Sequence, residues 1–264
     1  VNVIKWDAKT SQGWSHWVDG SHAIVNLAGA RLAGYNPLRY RWTTNRKRII
    51  CDSRLFAGKA VVEAVEQSTE KPAVVFQASG VDYYYPGDEI VTEASPPGED
   101  FLSTICTECW EASTIPVRSL GVRHVIARIG PILQNTSGPL PPLTLLSRLF
   151  FGGPLGTGRQ WFSWVHPTDV VRGIRFLIDN SETEGAYNLC APHPLTNADF
   201  NRVLAKVLHR PSWFPTPGFL LRFLYGELSV TLLQGVRASP QRLLDAGFNF
   251  QFPTAELALT DLLA

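Results

Sequence analysis

The sequence contains no methionine, has only four cysteines in 264 residues, and shows almost no imbalance of charge, with 24 lysines and arginines against 23 aspartates and glutamates. Balanced charge leaves no excess to neutralise a phosphate backbone, which excludes nucleic acid as the main ligand. Long apolar runs are missing too. Stretches such as Leu143-Thr144-Leu145-Leu146 and Phe219-Leu220-Leu221 break well short of the roughly 18 residues that span a bilayer, so no membrane partner is expected. Cysteines 51, 106, 109 and 190 are too few for a disulfide scaffold, and no basic segment leads into an apolar one at the start. A reducing compartment, the cytosol, is therefore expected. Cys106 and Cys109 form a single C-x-x-C, whereas zinc sites usually need a second pair or added histidines, so the two read as partly buried helix residues. The histidines show no ligand spacing, and no metal is expected. The missing methionine points to a processed or truncated N-terminus.

What is present is a globular chain, 45% apolar, long enough to bury about 70–75% of its unfolded surface without disulfide or metal support. Val1 to Trp6 reads as a short strand. Ala23 to Gly29 is almost continuously apolar, as are Ala73 to Ser79 and His124 to Ile129, and continuous apolarity marks strands buried on both faces of a parallel sheet. Between them, Thr43 to Gln67 and residues 100–114 read as helices. This alternation predicts an α/β fold. After Leu133 the texture changes to Gly, Pro and Leu up to Gly158, then to an aromatic segment, Trp161 to His166. Thr168 to Asp179 reads as a helix capped by Thr168 or Asp169, Ala186 to Leu189 as a strand, and the remainder as a small, mostly helical unit.

In such sheets ligands bind outside the carboxyl ends of the strands. Three ends stand out: Asn26-Leu27-Ala28-Gly29, where small residues let a ligand lie against the backbone; Ala78-Ser79-Gly80-Val81-Asp82-Tyr83-Tyr84, with a hydroxyl and two phenols; and Arg128-Ile129-Gly130-Pro131-Ile132-Leu133.

These segments, with Arg41-Trp42-Thr43, Ser53-Arg54, Gly152-Gly153-Pro154-Leu155-Gly156 through Trp161, Trp164-Val165-His166 with Asp169, and Thr196 to Phe200, resemble the atypical extended short-chain dehydrogenase/reductases. Within them the chain is similar to the epimerase-like subfamily, in which an NAD(P)-binding Rossmann-like, doubly wound parallel sheet precedes a small C-terminal domain of unknown function. The resemblance implies a dinucleotide-binding domain over 1–135, with 160–190 returning to it. It further implies a substrate-side loop and helix over 136–159 and a C-terminal domain over 191–264. It also implies NADP or NAD as cofactor, held by Asn26, Leu27, Ala28, Gly29, Arg54, Ala78, Arg128, Gly130 and Ile132. Ser79 and Tyr83 would be the catalytic pair, acting on a small-molecule substrate, and a plastid stroma is a second compartment.

Two departures from the family's pattern follow. No tyrosine, at 35, 40, 83, 84, 85, 187 or 225, is followed four residues later by lysine, so the usual Tyr-x-x-x-Lys relay is missing. The Gly-x-x-Gly-x-x-Gly turn that holds the pyrophosphate is also missing, and some forty residues (the size of one βαβ unit, roughly 30 or more) are expected upstream of Val1. Three residues are candidates for the substrate side, each with a structural alternative. His166 either shapes the pocket or anchors a helix, Trp161 lines the pocket or joins the core, and Arg159 clamps an anion or ties a loop. Two functions remain: an oxidoreductase or epimerase, and a catalytically degenerate dinucleotide-binding protein with a regulatory or scaffolding role, as in plastid or cyanobacterial-type division.

Overall fold

The computed structural model describes residues 1–33 and 41–263; Tyr35 and Tyr40 lie outside them. Its strands are β1 Ala23–Asn26, β2 Val74–Gly80, β3 Ile90–Val91, β4 Arg123–Ile129, β5 Trp161–Phe162, β6 Gly185–Leu189, β7 Leu195–Thr196 and β8 Arg237–Ala238. The long helices are α1 Thr44–Gln67, α4 Leu140–Arg148, α5 Pro167–Asp179, α6 Asn197–Val207, α7 Gly218–Tyr225 and α10 Ala255–Leu263. Short ones are α2 Phe101–Thr104, α3 Ala112–Thr114, α8 Val230–Leu233 and α9 Gln241–Asp245.

A four-stranded, all-parallel sheet runs β1-β2-β4-β6. Its two faces are both apolar, as continuous hydrophobic strands require. Val74, Phe76, Val125, Ala127 and Leu189 pack on Val170 and Leu177 of α5. Val75 faces the other way, onto Val61, Val62 and Val65 of α1. A third core, including Leu133, Trp164, Phe200, Leu204, Ala258 and Leu259, joins the C-terminal helices to the segment after β4. The small pairings β3–β8 (parallel) and β5–β7 (antiparallel) tie that part to the sheet.

Local signals explain most element boundaries. Thr43 accepts from the Arg46 amide and starts α1, and Thr196 accepts from the Asp199 amide and starts α6. Four expectations are corrected. Val1 to Trp6 is irregular, because alternation makes a strand only where a neighbour supplies a ladder, and Val1 and Val3 stand in solvent. The cap of α5 is His166, whose Nδ1 accepts from the Thr168 amide, rather than Thr168 or Asp169. Residues 100–114 are not a uniform α-helix: between α2 and α3 runs a π-helical segment, Ile105–Glu111. Finally, Cys109 is disulfide-bonded to Cys51, tying that segment to α1, while Cys106 and Cys190 are free and buried.

Candidate functional site

The carboxyl ends of β1, β2 and β4 lie side by side, and the π-helical segment passes over them. At the end of β1, buried Asn26 donates to Gln77 Oε1 (2.8 Å) and accepts from the Ala28 amide (3.2 Å), which turns the chain so that Leu27 and Gly29 face solvent. Trp110 Nε1 donates to Ala28 O (3.0 Å). The Arg54 guanidinium lies 4.0 Å from the Trp110 ring and donates to Ala30 O and Ile50 O. Gly29 is small of necessity, since a Cβ there would sit 3.0 Å from the Arg54 guanidinium carbon and 3.2 Å from the Trp110 ring. Arg54 is buried with no carboxylate bonded to it among the described residues, and its Nε has no partner. Burial pushes it down to about 10, so it remains a cation at neutral pH.

At the end of β2, Ser79 donates its hydroxyl to Glu111 Oε1 (2.8 Å). Glu111 also receives both arms of Arg128, Nε at 2.9 Å and Nη2 at 3.0 Å. The remaining Arg128 nitrogen donates to the Tyr84 hydroxyl (2.9 Å), which donates to Asn188 Oδ1 (2.7 Å). The Tyr83 ring covers this network from outside, its centroid 3.3 Å from the Arg128 guanidinium carbon. Burial opposes the Arg128 charge, but the bidentate Glu111 outweighs it and holds Arg128 charged. Burial pushes Tyr84 up to about 12, against the pull of Arg128, so its phenol stays protonated. Cys106, beside Ser79 and Gly80, is also pushed up to about 12, first by burial and then by Asp82 and Glu111, which makes it an unreactive thiol. Half-buried Asp82 rises to about 6 through burial and the Asp100 charge.

Ser79, Tyr83 and Arg128 are thus brought together, with Ala78 buried beneath them. Each of the three Arg128 nitrogens, however, donates to Glu111 or Tyr84 within this network. Gly130 is explained by packing: a Cβ there would run into the Ser163 carbonyl. Ile132 pairs with Val165 and packs partly buried under the sheet. On the substrate side, Trp161 donates to Asp88 Oδ1 (3.0 Å) beneath the Arg237 guanidinium, and Arg159 is exposed. His166 lies elsewhere, 2% exposed, stacked on Phe252 and 3.3 Å from Asp261. Burial pulls its pKa down despite that carboxylate, and the geometry is that of a helix anchor.

Glu111, Trp110 and Asn188 were not singled out from sequence, and Tyr84 was read only as the second phenol of its strand end. A usable signal existed for Glu111, because an arginine inside an apolar strand demands a buried carboxylate, and the neighbouring helical stretch has few to offer.

A parallel sheet clad by helices on both faces, with polar side chains gathered at its carboxyl edge, defines a Rossmann-like nucleotide-binding class. Residues 216–262 match the family model described as "Domain of unknown function (DUF1731)". The chain is 36% identical over 242 residues to the "Epimerase family protein YfhF" of Bacillus subtilis, covering 91% of this chain and 77% of that protein. It is 36% identical over 249 residues to the "Epimerase family protein SDR39U1 homolog, chloroplastic" of Arabidopsis thaliana, covering 93% and 70%. Among solved structures, that of human epimerase family protein SDR39U1 (isoform 2) with NADPH superimposes with a TM-score of 0.85 at 31% identity, over 91% of this chain and 81% of that one. The chain belongs to this epimerase family of atypical extended short-chain dehydrogenase/reductases.

Proposed function

We propose that the protein is an NADP- or NAD-dependent oxidoreductase or epimerase acting on a small molecule at the Ser79–Tyr83 edge of the sheet. The observation that carries this reading is the convergence of Leu27, Gly29, Arg54, Ser79 and Tyr83 around one sheet edge, in a fold whose human relative is described with NADPH. The residues fit a phosphate-bearing dinucleotide. Among the described residues Arg54 is a buried cation with no carboxylate bonded to it and with an unpartnered Nε, and Leu27 and Gly29 leave the neighbouring backbone open. Leu27 and Ala28 would hold the adenosine side, and Arg54 would supply positive potential. When bound, the nicotinamide supplies or takes up a hydride.

The Ser79 hydroxyl donates its hydrogen bond to Glu111, so toward a ligand it offers lone pairs and orients a substrate hydroxyl by accepting from it. Tyr83 is the hydroxyl left to deliver a proton to a carbonyl oxygen or remove one from an alcohol, its ring held in place on Arg128. Glu111 and Arg128 are positioning residues.

The test is an NADPH titration of the whole protein followed by oxidation assays with a carbonyl panel. Turnover that Tyr83→Phe reduces by about 100-fold or more supports the reading. Tight NADPH binding with no turnover would favour the alternative, a degenerate dinucleotide-binding regulatory or scaffolding protein. The specific support for that alternative is that Glu111 and Cys106 face Ser79 from the helix where the family's pattern would place tyrosine and lysine.

A further inference from the structure

One large apolar face takes no part in the sheet-edge site. Beyond α4 the chain turns at Phe150, which has φ +67°, and Leu149, Phe150 and Phe151 are each more than half exposed. The segment after α6 returns against this turn. Trp213 and Phe214 donate their amides to Gly152 O, Trp213 Nε1 donates to Phe150 O (2.9 Å), and the Phe151 and Phe214 rings meet edge-on at 5.5 Å. From there α7 departs with Leu221 turned into the core and with Phe219 and Phe223, one turn apart, 74% and 70% exposed. Single exposed hydrophobics are ordinary, but a run of phenylalanines and a tryptophan standing off adjoining elements is not.

The two stretches that carry these side chains have no acid of their own, and the exposed Glu256 beside them is taken by Lys206. From Ala112 to Thr168, and again from Phe200 to Gly226, the sequence has no Asp or Glu. These two stretches build the face and contribute Arg148, Arg210 and Arg222, none of which is ion-paired among the described residues; Arg210 lies over the Phe150 ring. The acids bounding the second stretch are already taken, Asp199 by Arg202 and Glu227 by Lys47. A two-fold contact between copies would set this basic face against itself with no acid to answer it. An occupant must therefore be apolar and negatively charged at once.

We propose that this face docks peripherally on a bilayer containing anionic phospholipid. Trp213, Phe219 and Phe223 enter the interfacial layer while Arg148, Arg210 and Arg222 engage headgroup phosphates. Such docking needs no spanning segment, and no helix among the described residues is long and apolar enough to be one. The expectation of no membrane partner rested on run length, which misses a face assembled from two separated stretches. The proposal does not depend on dinucleotide chemistry.

The test is co-sedimentation of the whole protein with vesicles of phosphatidylcholine alone or with about 30% phosphatidylglycerol. Partitioning should rise by about 100-fold with the acidic lipid for three arginines and fall as salt is added. Phe219→Ser with Phe223→Ser should abolish it. Arg148→Glu with Arg222→Glu, exposed changes that leave the core intact, should remove the preference for acidic vesicles while thermal melting is unchanged. Equal partitioning to both vesicles, no partitioning to either, or self-association lost in the phenylalanine variant without lipid binding would each overturn it.

Discussion

His124 lies inside β4 with no exposed surface, its Nε2 3.0 Å from the Thr114 hydroxyl and its Nδ1 accepting from Arg118. Burial and the Arg118 charge push it down to about 4, so the folded state keeps it neutral where the unfolded chain takes up a proton near 6.5. That contribution to stability is complete above pH 6.5 and is lost as pH falls toward 4, by about 3 kcal/mol in all. Asp82 acts in the opposite sense. Raised to about 6 from 3.8, it contributes stability that is complete below 3.8 and lost as pH rises through 6. Between about pH 4 and 6 the two slopes nearly cancel, so each is visible only when the other is removed. Asp82→Asn should expose a loss of stability on acidification, and His124→Gln a loss on raising the pH, both read by urea unfolding at a series of pH values. Parallel profiles for the two variants would contradict this assignment.

At the scale of elements, α1 shows how packing reverses a propensity rule. Gly58 sits mid-helix, where alanine would ordinarily gain about 1 kcal/mol. Here a Cβ would overlap the Ser113 side chain of α3, because the two helices approach closely at that point. Gly58→Ala is expected to destabilise by about 1–3 kcal/mol, and Ser113→Gly in the same chain to recover most of it, measured by denaturant unfolding. The caps of α1 and α6 were legible, since Thr43 and Thr196 sit where an accepting hydroxyl is wanted. The π-helical turn was not, because its wider turn follows from what Trp110, Cys109 and Glu111 must each reach: Ala28, Cys51 and Arg128.

At the scale of the molecule, Asp169 joins the sheet layer to the C-terminal segment. Fully buried in α5, it pairs with Arg172 and accepts from the Gln251 and Phe252 amides, both at 2.8 Å. Phe252 in turn stacks on His166, which faces Asp261 of α10. Asp169→Asn replaces an acceptor by a donor facing donors, and should cost about 3 kcal/mol. Amide exchange should quicken first in α10 while β2 and β4 remain protected. Uniform quickening across both would show that the carboxylate does not act as a local tie.

The sequence alone determined the alternation of buried strands and helices, the small-residue strand ends and most helix starts, because these depend on local periodicity and on side chains acting within a few residues. It also carried the family pattern and the missing Tyr-x-x-x-Lys. Only the tertiary structure decided that Arg128 belongs to Glu111 and Tyr84, that His166 stacks on Phe252 and faces Asp261, that Cys51 meets Cys109, and that the two acid-free stretches meet at Phe150 and Trp213. Each of these joins residues distant in the chain. Which donor meets which acceptor, and which ring meets which, depends on the approach of packed elements, a quantity that no stretch of sequence contains by itself.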